Sequence, residues 1–409
     1  MLTVLSPEQA LELIKCRFAP VSARETLPVA AALGRVLAED IVGGEFVPGF
    51  DRSTVDGYAL RASDSFGCSE AIPAILELRA DVAMGREAGE PLEPGCCAYV
   101  PTGAALPEGA DAVAMIEYSE AFGDGTVAIN KAAAPGENII FKGDDVFPGK
   151  LILRSGHRLG ARDMGSLASL GVERAEFFPR LRVGIISTGD ELVNVNEVPG
   201  PGQVRDINSL MLSSLMEELG HESVSYGIVR DEEELLSAAL DRALAECDGV
   251  LISGGSSVGV KDATARIIES RGEILFHGLA IKPGKPTILG KVGDKPVFGL
   301  PGHPAAAWFV SNVFVRAALD TLRGRLSRPV SLGAKLTENV SANHGRAQYV
   351  GVSLSRKDGE WIASPIRSKS GLISSLPASD GFFCIPRDSE GCAAGEIVEV
   401  CLYETYQEI

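Results

Sequence analysis

Three stretches in the middle of the chain stand out by their pattern: LRVGIISTGDEL at 181–192, VLISGGSSVGVKD at 250–262 and KPVFGLPGHP at 295–304. Each is an apolar run that stops abruptly at Gly, Ser, Thr or Asp. Runs without polar alternation predict strands buried on both faces. Strands are expected at 181–187, 223–229, 249–253, 274–281, 286–292 and 296–300. Helical patterns are expected at 208–219, 232–247, 262–271 and 304–323. The helix at 208–219 carries Leu210, Met211, Leu215 and Leu219 as its apolar stripe, with Asn208 as its expected cap and Gly220 as its stop. Strands alternating with helices predict a mainly parallel, three-layer α/β domain with right-handed crossovers.

The flanks read differently. Ser6, Pro7 and Gln9 predict a capped helix over 6–19. A second helical piece is expected near 28–38, and a loop leads into a strand over 46–64. Over 72–130, short apolar runs separated by Gly and Pro predict a β-rich domain. A helix over 159–170 ends at Gly171. After Arg325 come short strand-like runs and an Asp358-Gly359 hairpin signal, which predict a small β-barrel or sandwich. No internal repeat and no low-complexity segment interrupts this order.

A chain of 409 residues is too long for one ordinary core. Its formal net charge of −17 argues against bulk binding to nucleic acid or to an anionic membrane. It also means that an anionic substrate would need a locally basic pocket. No segment has the ~18 uninterrupted apolar residues of a membrane span, and the N-terminus has no secretory pattern. The eight cysteines form no C-x-x-C pair. A cytoplasmic protein with reduced thiols is the expectation.

Candidate chemistry gathers where strands hand over to loops, the usual ligand edge of an open α/β sheet. The loop from Ser253 to Gly259, including Gly254 and Gly255, has P-loop spacing. However, Val260 stands where a P-loop requires Lys. The pattern is not G-x-G-x-x-G either, so NTP hydrolysis and hydride transfer lose their main support. What remains is a backbone cradle suited to an oxyanion, or simply a tight turn. Asp190, Glu191, Asp231 and Asp262 all follow strands and converge on one edge. As a group they suit Mg²⁺ with substrate phosphate; individually they suit caps. Lys282 and Lys285 flank a Pro-Gly turn on that edge and can counter phosphate charge. His303 is held between two prolines. Further out, Asp51, Ser53, Thr54 and Asp56 crowd one loop, Thr102 follows a strand, and Asp144 and Asp145 are adjacent. For each of these, turn chemistry is the usual reading and a ligand or metal contact the less usual one.

Taken together and in order, FDRSTVDGYALR, VPTGAALPEGADAVAMIE, GENI with GDD, STGDEL, SGGSSVG, AIKPGKP and GLPGHP resemble the molybdopterin molybdenumtransferase family across nearly the whole chain. The resemblance implies an α/β multidomain fold. Residues 1–45 with 140–178 would form an extended linking region and 46–139 a β-rich domain. The α/β domain would span 179–326 and a C-terminal β-barrel 327–409. It implies a homodimer with its site at the subunit interface, and functional contact with the adenylyltransferase of the pathway. The implied reaction is Mg²⁺-dependent insertion of molybdate into adenylylated molybdopterin with release of AMP. Carried over by motif, Asp56, Asp145, Asp262 and Lys282 would be catalytic, and Glu191 and Asp231 would hold the metal. Thr102, Ser253, Gly254, Gly255, Gly259, Lys285, Pro301, Pro304 and Ser370 would bind substrate.

The chain also departs from the family pattern. Ile140, Gly278 and Gly351 stand where relatives tend to carry basic residues, and PGHP replaces PGNP. These departures keep open a second reading, a molybdopterin-binding or assembly paralogue without turnover. A doubly wound oxidoreductase is the weaker third.

Overall fold

The computed structural model describes residues 4–254, 258–325, 329–366, 371 and 373–403, without the side chains of 258–262. Three six-stranded sheets carry the architecture.

The central sheet confirms the α/β reading. In spatial order its strands are Glu222–Val229, Arg182–Thr188, Gly249–Gly254, Lys295–Leu300, Ile288–Val292 and Glu273–His277. The first four run parallel and the last two add antiparallel at one edge. The unbroken apolar runs are the interior of this sheet. Val183, Ile185, Ile186, Val250, Leu251, Ile252, Val297 and Phe298 are all buried. Helices cover both faces, giving one core around Leu212, Leu215, Phe309 and Phe314 and a second around Leu236, Leu240, Ile267 and Ile268.

Three local expectations fail for identifiable reasons. The stretch 28–38 is not a helix: Glu25–Pro28 pairs as a strand with Arg174–Phe177, and only Val29–Ala31 turns as 3₁₀. Pro28 and Gly34 confine any helix there, and the strand pairing satisfies the backbone instead. The expected strand 274–281 stops at His277, because Gly278 at φ +117 turns the chain out of the sheet. The helix after the glycine loop starts at Val258, earlier than expected, so Gly259 and Asp262 lie inside Val258–Glu269.

The segment beyond Gly278 joins two other parts of the molecule. Leu279 bridges to Leu5 on one side. Ile281 and Lys282 then pair, parallel, with Ala347 and Gln348 of the C-terminal sheet. That sheet closes into a five-stranded barrel through Ala347–Lys357, Glu360–Pro365, Ser331–Leu336, Ile397–Leu402 and Gly381–Ile385. Its hairpin turns at Asp358 (φ +51) and Gly359 (φ +85), as the Asp-Gly signal requires. The first helix, Pro7–Arg17, forms with its capping box and buries Ala10 and Ile14 in the core it shares with the α/β sheet and with Ala347, Tyr349 and Phe382 of the barrel.

The remaining sheet is the β-rich part, with strands Ala112–Met115, Gly57–Leu60, Cys96–Val100, Ala74–Asp81, Thr126–Ile129 and Ser119–Ala121 in that order. Short pairings of Ile41–Val42 with Leu151–Leu153, and of Arg52–Ser53 with Ile139–Ile140, carry the chain out to it and back.

The last helix of the α/β unit runs from Pro304 to Leu322 and widens to a π-helical turn over Ser311–Val315. Near its end lies His221, which is 5% exposed. Burial first, then the charges of Arg323, Arg325 and Arg158, push its imidazole from 6.5 down to about 3. A histidine kept neutral in the fold but free to protonate when unfolded contributes stability that is complete above the unfolded pKa. That stability is lost as pH falls from there toward the folded value. The unfolding free energy should therefore be about 2 kcal/mol lower at pH 5 than at pH 7.5 on account of this group. Urea denaturation of the wild-type protein and His221→Gln at both pH values measures the difference, which should shrink by that amount in the variant.

Candidate functional site

The carboxyl edge of the parallel strands builds the first half of the site. Strand Arg182–Thr188 ends in Thr188, whose hydroxyl donates to Asp231 Oδ1 at 2.6 Å. The backbone N–H of Asp231 donates to Asp190 Oδ1 at 3.3 Å. Glu191 follows with its carboxylate folded over Gly189. Asp190, Glu191 and Asp231 are exposed and share one edge, as their positions after strands predicted.

The next strand ends in Ser253 and Gly254. Gly254 sits at φ +140, and a Cβ there would lie 1.8 Å from the Thr188 carbonyl oxygen. Only glycine lets the two strand ends approach this closely. Ser253 is buried, and its hydroxyl accepts from Asn208 Nδ2 at 2.8 Å; the same nitrogen reaches the Gly302 carbonyl at 2.9 Å. Asn208 is therefore not the helix cap it was expected to be. Asp206 takes that part by accepting from the Ser209 N–H at 3.1 Å, which frees Asn208 to brace the glycine loop against the PGHP loop. Sequence alone could not separate these roles, since Asn serves both.

The second half is a cavity of about 740 Å³ between the α/β domain and the barrel. One wall is Ile281, Lys282, Pro283, Gly284 and Lys285, with Pro301 and His303; the other includes Arg346, Gln348 and Ser379. The pairing of Lys282 with Gln348 fixes how the walls meet. Among the described residues the lining holds Lys282, Lys285 and Arg346 and not one carboxylate. Arg346, Gln348 and Ser379 were missed because they lie on a different domain from the motifs. Arg346 follows Gly345 in the Gly-Arg step of the C-terminal pattern, and that was the available signal. Pro304 starts the helix behind the PGHP loop and is buried.

The remaining predicted residues lie elsewhere. The Asp56 carboxylate accepts from the Thr102 N–H at 2.6 Å and the Thr102 hydroxyl at 2.9 Å. The backbone bond first, then the hydroxyl, hold its pKa below the usual carboxylate range, so it is an ionised acceptor. Asp145 is exposed in the loop beside Val47 and Val146. None of these three lines the cavity of its own chain. Gly255 and Ser370 lie outside the described residues, as do the side chain of Asp262 and any contact made at Gly259. Of the three positions that depart from the family pattern, Gly351 lines the cavity, whereas Ile140 pairs with Arg52 and Gly278 abuts Val4.

A metal at this edge would meet hard oxygen donors only. Among the described residues no three His, Cys, Asp or Glu gather into a closed metal cage. Magnesium commonly takes one or two protein carboxylates and completes its shell with water and substrate phosphate. Glu191 and Asp231 supply oxygen donors of that kind on one edge of the sheet, Asp231 being held by Thr188 and Asp190.

A multidomain chain with a basic cleft beside the ligand edge of an α/β sheet is the class this geometry defines. Comparison with known proteins makes it specific. Residues 5–171 match the MoeA N-terminal region (domains I and II), 184–321 the family described as "probable molybdopterin binding domain", and 333–403 the MoeA C-terminal region (domain IV). Molybdopterin molybdenumtransferase of Bacillus subtilis is 32% identical over 393 residues, covering 95% of this chain and 91% of that protein. The enzyme of the same name from Haemophilus influenzae is 34% identical over 384 residues, covering 92% and 93%. The crystal structure of the molybdopterin biosynthesis MoeA protein from Pyrococcus horikoshii superposes with a TM-score of 0.86 at 35% identity, covering 98% of this chain and all of that one. The chain belongs to the molybdopterin molybdenumtransferase (MoeA) family.

The brace at Asn208 can be tested directly. Asn208→Ala leaves the buried Ser253 hydroxyl and Gly302 carbonyl without their donor, which should lower the unfolding free energy by about 1–3 kcal/mol. Chemical denaturation of the purified variant measures it.

Proposed function

We propose that this protein acts in molybdenum cofactor biosynthesis as a molybdenumtransferase, cleaving adenylylated molybdopterin, inserting molybdate and releasing AMP. One observation carries the reading: in a chain of net charge −17, the described lining of the cavity beside the ligand edge holds Lys282, Lys285 and Arg346 without an opposing carboxylate. Such a cavity is built to receive an anion, and every species in this reaction is anionic. The names of the curated relatives point to the same chemistry.

Each group has a part that follows from its position. Lys282 and Lys285 hold phosphate oxygens as point charges on a turn stiffened by Pro283 and Pro286. Arg346 offers a planar fork from the opposite wall. Asn208 keeps the PGHP and glycine loops together, so that Gly254 presents backbone to an oxyanion. Magnesium, held by Glu191 and Asp231 when bound, would supply charge neutralisation to the phosphate oxygens. The Asp56–Thr102 pair and Asp145 need a different route into the chemistry, because their own chain does not bring them to the cavity. A homodimer supplies it: the β-rich part of one subunit would close the cavity of the other. Exposed Phe46, Phe50, Phe141 and Phe147 lie on the two segments paired at Val47 and Val146, one of which carries Asp145, and offer apolar surface suited to such a contact. The same reading places the protein in the cytoplasm, with the adenylyltransferase that makes its substrate as a transient partner. Among the described residues no helix is long and apolar enough to cross a membrane.

Two experiments test this. Incubated with adenylylated molybdopterin, magnesium and molybdate, the full chain should release AMP, and Lys282→Ala should slow release roughly a hundredfold. Binding without AMP release, beside a competent control enzyme, would instead make the protein a binding paralogue. For the composite site, Asp56→Asn and Lys282→Ala should each be inactive alone. Mixed and allowed to exchange subunits, they should recover about one quarter of wild-type activity, since half the dimers are then hybrid with one intact site each. No recovery, with exchange verified by mass, would confine the site to one chain.

A further inference from the structure

A second cluster of charge lies at the seam where the linking segment meets the end of the last α/β helix. Arg323 is its centre. It is 1% exposed, yet Nε and Nη2 meet no acceptor among the described residues. Arg35, Arg158 and Arg325 surround it, with Asp320 as the nearby acid. Arg325 Nη1 donates to Asp320 Oδ1 at 3.2 Å, and Arg158 Nε donates to the Gly34 carbonyl at 3.2 Å. Arg35 spends Nη2 on Glu25 and on the Phe178 carbonyl, and its Nε is likewise without an acceptor. His221 faces the same guanidinium groups and has an unpartnered, buried Nδ1. Arg316, whose Nε also lacks an acceptor, faces Asp320 and Glu218 from one turn earlier.

Charge is unbalanced here in a definite way. Among the described residues that interact here, Arg35, Arg158, Arg316, Arg323 and Arg325 are five cations, and Glu25, Glu218 and Asp320 are three anions. Five minus three leaves +2, in a chain whose total is −17. Burying guanidinium donors without an acceptor is among the most unfavourable arrangements in a folded protein. Burial first, then Arg325 and Arg35, push Arg323 down to about 10, still far too high for it to be neutral at physiological pH. The cluster is also closely wrapped by backbone. Gly34 at φ +75 lies against the Arg158 guanidinium and Gly220 at φ +83 lies against Arg323 Nη1. Gly156 at φ +86 brings the linking segment onto the Gly324 carbonyl. A Cβ at Gly156 would lie 2.3 Å from that carbonyl oxygen, so only glycine allows this approach.

We propose that the Arg323 seam binds one small tetrahedral dianion, phosphate or sulfate, clasped between the linking segment and the α/β domain. A dianion matches the excess of +2, and tetrahedral oxygens can accept from several planar guanidinium forks at once. The site is separate from the basic cleft, whose cations are Lys282, Lys285 and Arg346. Its physical effect would be to fasten the linking segment, and through it the β-rich part, to the rest of the chain.

Thermal unfolding of the full chain is followed while sodium phosphate or sodium sulfate is titrated against sodium chloride at matched ionic strength. Phosphate or sulfate should raise Tm saturably by about 2 °C or more beyond chloride. Arg158→Gln, at the exposed rim, should weaken the apparent affinity roughly tenfold. Lys282→Ala, in the cleft, should leave it unchanged. Calorimetry should show a dianion site weakened in Arg158→Gln and kept in Lys282→Ala, and selenate soaked into crystals should give an anomalous peak beside Arg323. An equal rise with chloride overturns the proposal, as does a rise lost in Lys282→Ala but kept in Arg158→Gln. So does selenate density only in the cleft.

Discussion

The molecule depends on one short segment, 278–282, that turns at Gly278 and then pairs on two sides. On one side Leu279 pairs with Leu5 at the N-terminus; on the other, Ile281 and Lys282 pair with the first residues of the long barrel strand. Three parts that are far apart in sequence meet on this short ladder. Backbone pairing is directional, so it fixes register as well as proximity. That register carries Lys282 to the mouth of the cavity opposite Gln348 and next to Arg346. The apolar core beneath it, with Phe309, Tyr349 and Phe382 in mutual ring contact, makes the arrangement rigid. The basic cleft is thus a consequence of how a strand leaves one sheet and enters another.

This placement resolves an apparent conflict between global and local charge. A strongly acidic chain repels anions at long range, so its surface cannot steer them inward. An anionic ligand would have to be recognised by short-range contacts inside the cleft, whose described lining holds lysine and arginine but no acid. Such a design favours discrimination over speed of capture. It also fits the absence of Asp190, Glu191 and Asp231 from the cavity lining. If they lined the cleft directly, they would cancel its field.

Much of the α/β unit was legible in the sequence because burial on both faces leaves an unmistakable apolar run, as in residues 181–187 and 249–253. The Asp358-Gly359 turn was legible because only a few residues tolerate its backbone angles. The carboxyl-edge acids were legible once the strands were known. Composite features were not. Arg346 and Gln348 become part of a cavity only when the barrel docks, and no local pattern encodes docking. Asn208 carries the signature of a cap, yet long-range partners drew it inward. The stretch 28–38 has enough apolar residues for a helix, but its strand partner at 174–177 lies almost 150 positions away. Asp56, Thr102 and Asp145 were legible only through likeness to relatives, since nothing in one chain brings them to the cleft.

The π-helical turn over Ser311–Val315 gives the last α/β helix an unusual property. One residue more than an α-turn requires shifts the angular phase of everything downstream by about 100°. Before the turn, Ala305, Ala306 and Phe309 look into the cleft. After it, Arg316 and Asp320 point to the opposite end of the domain, toward the linking segment. A regular helix of the same composition could not present both faces so arranged. The extra residue therefore lets a single rod address two separate regions of the protein, and deleting it would misalign one of them whichever way the helix settled.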